Sequence, residues 1–277
     1  MWSRKTDSQR EEKSDEASGF DKKQPFFFYA EKLKYHHTCM LGLTFFMPLA
    51  VVFLAAWLTG SYFSVDAYNW WYIGLYPGLL GVVSSVIGRK DLEKKNHTIW
   101  SSPCEMERIW DAKVLVGVME SGTAVFILTV LTIICEKGIE GIFHVSMAAV
   151  FSFQTKLAAG VVLWLTTLWQ IPFCLLLSQK MGTFVMLLIH MISYSVLAGT
   201  MSLKPWFFLL PGAITSRLMC PVIGVLPNGL LFEPGQMTYS LELGERSSLG
   251  IGIFSALLWF CFFWFAGRKW FGKQVEK

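Results

Sequence analysis

The sequence predicts an all-α polytopic membrane protein with six transmembrane helices, and three observations carry that expectation. Hydrophobic residues make up 53% of the 277 and charged residues only 16%, against about 25% charged in soluble chains. Six apolar stretches, near 41–60, 70–88, 114–135, 157–178, 181–201 and 249–267, have the roughly 20 residues that a helix needs to cross a bilayer core. The alternation that marks barrel strands is missing from them, and a helix satisfies its own backbone hydrogen bonds in lipid.

The first 24 residues mix both charges without periodicity and read as a disordered cytoplasmic tail; residues 25–277 form the membrane domain. Pro25 suits a first helical position. Phe26, Tyr29, Ala30 and Leu33 then recur at helical spacing, with Glu31, Lys32 and Lys34 facing elsewhere. That is the pattern of a short helix lying in the inner membrane interface. Of the 24 Lys and Arg, 19 fall before the first stretch, between the second and third, at Lys180, or after the last. Lys137, Lys156, Lys204, Arg217 and Arg246 make up the other side. Positive charge collects in cytoplasmic loops, so both termini are expected inside and the chain in the cell membrane. The net charge of +4 reflects this topology and gives no reason to expect a nucleic-acid partner.

The charged insert between the second and third stretches carries its own helix signal. In "SSPCEMERIW", Ser102 reads as N-cap, Pro103 as first helical residue and Glu105 as the third, a capping box. Met106, Ile109 and Trp110 then share one face, with Glu105, Arg108 and Asp111 turned away. A capped helix in a loop suggests docking, with Trp110 as the large apolar anchor of an interface; a helix resting on lipid at the membrane surface is the other reading that the spacing allows. Residues 139–154 are apolar but too short to span, and belong to the outer interface.

Polar groups inside the spans are functional candidates because lipid makes them costly. Glu120, Gln170 and His190 lie on the third, fourth and fifth stretches, where they could line a path. Glu120 is also close enough to the inner edge to be solvated or paired with Lys113. Between the last two stretches, residues 204–248 hold Pro205, Pro211, Pro221, Pro227 and Pro234, which forbid one long helix. Their first part is too apolar for a solvated loop, so a re-entrant hairpin is expected, buried by protein or lining a cavity. It rises to a polar lip with Glu233, Glu242 and Glu245 near Phe232 and Tyr239. Such a lip suits a cationic, amphipathic peptide.

Catalytic motifs are weak throughout. The five histidines show no metal-ligand spacing. A disulfide between Cys135 and Cys220 is conceivable, since both fall near the outer side. No nucleophile elbow, P-loop or dinucleotide fingerprint is present, so any ATP must be bound by another chain.

The run from Ala67 to Val118 resembles the permease subunits of lantibiotic-protection (immunity) ABC transporters. The matching features are "YNWWY" at Tyr68–Tyr72, the lysines Lys90, Lys94 and Lys95, and the turn at Ser102-Pro103. The motif closes with Trp110, Ala112, Lys113, Leu115, Val116 and Gly117. The entry "AEKLKYHHT" and the six-span layout extend the likeness over most of the chain after residue 25. The segment after the turn is usually basic, whereas here Glu105 and Glu107 accompany Arg108. The resemblance implies a transport subunit with no chemistry or cofactor of its own, in the plasma membrane of a Gram-positive bacterium. A cytoplasmic ABC ATPase dimer would hold ATP and magnesium, and a second permease chain, identical or homologous, would complete the pathway. The substrate would be a lantibiotic or similar antimicrobial peptide drawn from membrane lipid. Ser102, Pro103, Glu105, Met106, Arg108, Ile109 and Trp110 would form the coupling helix, and the outer hairpin would cap the pathway. Two other classes remain open: a channel or secondary transporter, and a membrane-embedded enzyme.

Overall fold

The computed structural model describes residues 24–92 and 105–273. The tail expected over 1–24 lies almost wholly outside them, as do Ser102 and Pro103. Among the described residues the architecture is all-helical, without strands. Five helical stretches are long and apolar enough to cross a membrane: Cys39–Arg89, Met106–Ile142, Phe153–Met181, Thr183–Leu203 and Ser247–Gly272. The chain is therefore a multi-pass α-helical membrane protein.

Helix α1 spans Gln24–Leu33. Its exposed side carries Tyr29 and Leu33, available to lipid, while Glu31 is buried against the bundle. Spacing turns Glu31 away from the apolar face of Tyr29 and Leu33, and it is the Glu31 side that packs inward, drawn by a basic partner from another helix. Thr38 caps α2, Cys39–Thr59, by accepting from the Met40 amide at 3.4 Å. Phe45, Phe46, Phe53 and Trp57 line its exposed side.

Gly60, at φ 53°, breaks the 51-residue stretch. A short 3-10 turn leads into α3 (Phe63–Trp70), a π-helical segment (Trp71–Leu75) and α4 (Tyr76–Arg89). The chain doubles back here: the Tyr35 hydroxyl oxygen lies 3.2 Å from the Ile87 carbonyl oxygen, and Lys34 pairs with Asp91. Two of the expected apolar stretches thus form antiparallel limbs of one hairpin.

Helix α5, Met106–Phe143, is unbroken for 38 residues. At 1.5 Å per residue it is about 57 Å long, nearly twice the bilayer core. Helices α6 (Phe153–Thr167) and α7 (Gln170–Met181) follow as one nearly continuous stretch, and Gly182, at φ 86°, turns the chain into α8 (Thr183–Thr200). Helix α9, Pro211–Ile223, is almost entirely buried, and α10, Ser247–Gly272, closes the fold.

Small residues set the closest helix approaches, as expected where apolar burial alone cannot drive association. Gly88 of α4 faces Leu175 and Ser178 of α7, and Gly252 of α10 faces Leu218 of α9. Any side chain at Gly267 of α10 would overlap the Trp110 ring of α5.

Candidate functional site

Three features fall on the residues singled out by sequence. The first is the base of the charged insert. Helix α5 begins at Met106, and Glu105 is its N-cap, with extended backbone (φ −62°, ψ 129°) and no capping hydrogen bond. The expected capping box, with Glu105 as third helical residue, is corrected by this start. Glu105 instead accepts from Arg108 Nε at 3.0 Å.

The apolar face is turned inward. Met106 and Ile109 are each 9% exposed and Trp110 is wholly buried. Trp110 stacks loosely on Phe271, at 5.7 Å between centroids, and its indole N–H donates to the Trp264 carbonyl at 3.1 Å. In return, Trp264 donates to Asp111 Oδ1 at 2.7 Å. The face expected to anchor a partner is therefore occupied by this chain's own α10. The outward side of the first turn shows Glu105 and Glu107, and Glu107 pairs with Arg268 at 3.1 Å.

One turn farther along, Lys113 is 1% exposed, and its ammonium lies 2.6 Å from both Glu31 of α1 and Asp91 after α4. It also donates to the Ile87 carbonyl at 3.2 Å. Lys34 completes a neutral set, 2.6 Å from Glu31 and 3.2 Å from Asp91, and the Tyr35 hydroxyl donates to Glu31. Burial alone would raise both carboxyls. The Lys113 and Lys34 ammoniums outweigh it and hold Glu31 and Asp91 below the usual carboxylate range. Burial and the adjoining Glu31 carboxylate push the Tyr35 phenol well above its ordinary value. The expected Glu120–Lys113 pair does not form, because two carboxylates nearer in space already hold the ammonium.

Sequence reading missed this network, although a signal was present. A lysine on an apolar helix needs a counter-charge, and Glu31 and Asp91 lie at matching positions beside the two preceding apolar segments. The same reasoning applies at the opposite end, where buried Lys156 pairs with Glu136 at 2.7 Å and Ser64 donates to Glu136.

The second feature lies within the bundle. His190 Nε2 is 3.1 Å from Gln170 Oε1, both residues are wholly buried, and Trp169, Phe173 and Tyr194 surround the imidazole. The Tyr194 hydroxyl donates to the Tyr72 carbonyl at 2.9 Å in the π-helical segment. Such bulges alter the carbonyl geometry available within a helix. Trp71 Nε1, Tyr72 Oη, Trp169 Nε1 and Gln170 Nε2 are buried without hydrogen-bond partners among the described residues. Two of the three expected path residues therefore meet; Glu120, 5% exposed on α5, does not join their hydrogen bond.

The third feature is the segment between α8 and α10. Here the sequence folds into the buried helix α9, which starts with Pro211 and tolerates Pro221 near its end. Thr215 of α9 donates to Thr166 of α6 at 3.1 Å. Gly224, at φ 65°, ends the helix, and an isolated bridge joins Val225 to Leu231. Arg217 stays near the lip, donating to the Glu242 carbonyl at 2.7 Å with its guanidinium 5.2 Å from the Phe207 ring centre. Phe232 and Tyr239 come together, 4.8 Å between centroids, and Glu233, Glu242 and Glu245 are exposed. Cys135 and Cys220 are free thiols, so the conceivable disulfide is not formed. No protein-family model, curated protein or solved structure matches the chain.

Proposed function

We propose that this protein is the membrane subunit of an exporter powered by a separate ATPase, and that it expels a lantibiotic or similar cationic antimicrobial peptide from the membrane. The hairpin of α2 and α3–α4 counts as two crossings in this reading, giving six, with both termini cytoplasmic. The observation that carries it is the setting of the charged insert. The insert enters directly into a rigid helix some 57 Å long, and that helix is tied at its base to both neighbouring parts of the chain. Lys113 holds it to α1 and the end of α4, while Trp110 holds it to α10. A push on the insert therefore moves the second and last crossings together. The likeness of residues 67–118 to lantibiotic-protection permeases names the source of that push, an ATPase dimer that binds ATP and magnesium.

Because the Met106–Ile109–Trp110 face packs within the chain, contact with the ATPase falls to Glu105, Glu107 and the insert preceding them. Ser102 and Pro103 keep their proposed place in that contact. ATP binding and hydrolysis shift the population between access states, and the acidic lip at Glu233, Glu242 and Glu245 receives the peptide. Gln170 and His190 form the polar step along the route. A second permease chain completes the pathway.

Affinity purification of the tagged chain from its native membrane, with the intact complex weighed, tests the proposal. A paired ATPase with two permease chains is the expected composition. Purification without any ATPase, together with peptide protection that survives ATP depletion, would refute it.

A further inference from the structure

At the base of the bundle, where the basic segments gather, α1, the start of α5 and the end of α10 enclose a cavity of about 390 Å³. Small-molecule sites generally occupy roughly 300–1,000 Å³. This one is amphipathic. Arg108, Asp111 and Arg268 line it with charge, while Phe28, Leu115 and Trp264 line it with apolar surface. Leu115 is 47% exposed on the side available to lipid chains. The ionic groups remain partly accessible: the side chains of Arg268, Asp111 and Arg108 are 34%, 31% and 21% exposed. Arg268 Nε is 3.4 Å from Asp111 Oδ2 but is buried without a hydrogen bond. This guanidinium is held between Glu107 and Asp111, and a third of the Arg268 side chain stays exposed where it lines the cavity.

We infer that this cavity binds the headgroup of an amine-bearing zwitterionic phospholipid. Its phosphate accepts from Arg268 and Arg108, its ammonium sits against Asp111, and its acyl chains leave past Leu115. The mixture of charges selects the class. Asp111 and the adjoining Glu107 oppose a purely anionic headgroup, whereas a zwitterion satisfies cation and carboxylate together. The Trp264 indole is held by its bond to Asp111 and forms the apolar wall beside the phosphate, the boundary position that tryptophan favours. Exchange of partly exposed ion pairs for lipid contacts is close to neutral, since such pairs contribute little to stability. The inference depends on the chain lying in a membrane, and it holds whether or not peptide export is its task.

The test is native mass spectrometry of the full chain released from detergent containing equal amounts of dioleoyl phosphatidylethanolamine, phosphatidylcholine and phosphatidylglycerol. Phosphatidylethanolamine should be retained at least fivefold over either competitor. Arg268→Gln should abolish that preference, and Arg268→Lys, which keeps the charge beside Glu107 and Asp111, should retain most of it. Melting temperatures of both variants separate lost binding from lost folding. If Arg268→Gln does not fold, Leu115→Trp, which closes the acyl exit, should remove the preference instead. Equal retention of all three lipids would overturn the inference, as would preference for phosphatidylglycerol. Displacement of the lipid by millimolar inorganic phosphate alone would reassign the site to a free anion and overturn it equally.

Discussion

Lys113 sits between Glu31 and Asp91, and its removal would leave two buried carboxylates without their principal cation. Breaking a buried pair in this way costs about 3–5 kcal/mol, so Lys113→Met should lower the thermal midpoint of the detergent-solubilised protein markedly. The same network predicts a pH dependence. Glu31 and Asp91 titrate below their ordinary range when folded. Their stabilisation is therefore complete above the unfolded carboxyl values, about 4, and is lost as pH falls through the lower folded values. Wild type should hold its midpoint from neutral pH to pH 5 and lose it below pH 4, where the deficit of Lys113→Met should shrink. A deficit that stays constant down to pH 3 would show that the network contributes no linked stability. Residue types alone carried the signal that Lys113 needs a counter-charge, which the sequence reading did not follow. They could not show which acids supply it, because Asp91 and Glu31 arrive through the doubling back at Gly60.

Helix α5 joins what the sequence presents as two separate objects, a loop helix and a span. Its apolar side, Met106, Ile109 and Trp110, was legible from helical spacing, but spacing does not distinguish a face that meets a partner from one that meets the chain's own last helix. Gly267 decides the matter, by removing the side chain that would otherwise collide with Trp110. Trp110→Ala should cost about 3–5 kcal/mol through the cavity it leaves. Gly267→Leu should separate α5 from α10 by overpacking. In the proposed complex both variants should uncouple ATP hydrolysis from peptide while the chain still inserts; normal peptide-stimulated hydrolysis in either would remove α5–α10 packing from the coupling route. The outer segment was legible in outline only. Its prolines announced breaks, and its apolar character announced burial, yet α9 emerged as a packed helix because Pro211 stands at its start and Pro221 lies in its last turn. The carboxylates of the acidic lip are exposed beside that packing. Charge reversal at Glu242 and Glu245 should reduce peptide protection while leaving assembly and basal ATP hydrolysis intact, since the hydrogen bond that holds Arg217 uses the Glu242 carbonyl, which the substitution keeps.

Among the described residues, the flanks of the segments rich in lysine and arginine meet at one end. Lys34 meets Asp91 there, Lys180 lies 5.0 Å over the Trp270 ring, and Arg268 meets Glu107. Charge distribution made this common end readable without coordinates, because each apolar stretch carries the chain to the opposite side. The tertiary ties across that end were not readable, since each joins residues far apart in sequence. In the proposed complex, ATP consumed by a partner at this end moves peptide at the other. The purified complex should therefore be reconstituted in sealed vesicles with its charged end outward, so that added ATP reaches the ATPase. A fluorescent cationic lantibiotic is placed on the membrane, and its transfer to the vesicle lumen is followed after ATP addition. The expected result is ATP-dependent loss of peptide from the bilayer, abolished by a hydrolysis-deficient ATPase and weakened severalfold by reversal of Glu242 and Glu245. Peptide that leaves at the same rate with and without ATP would contradict it.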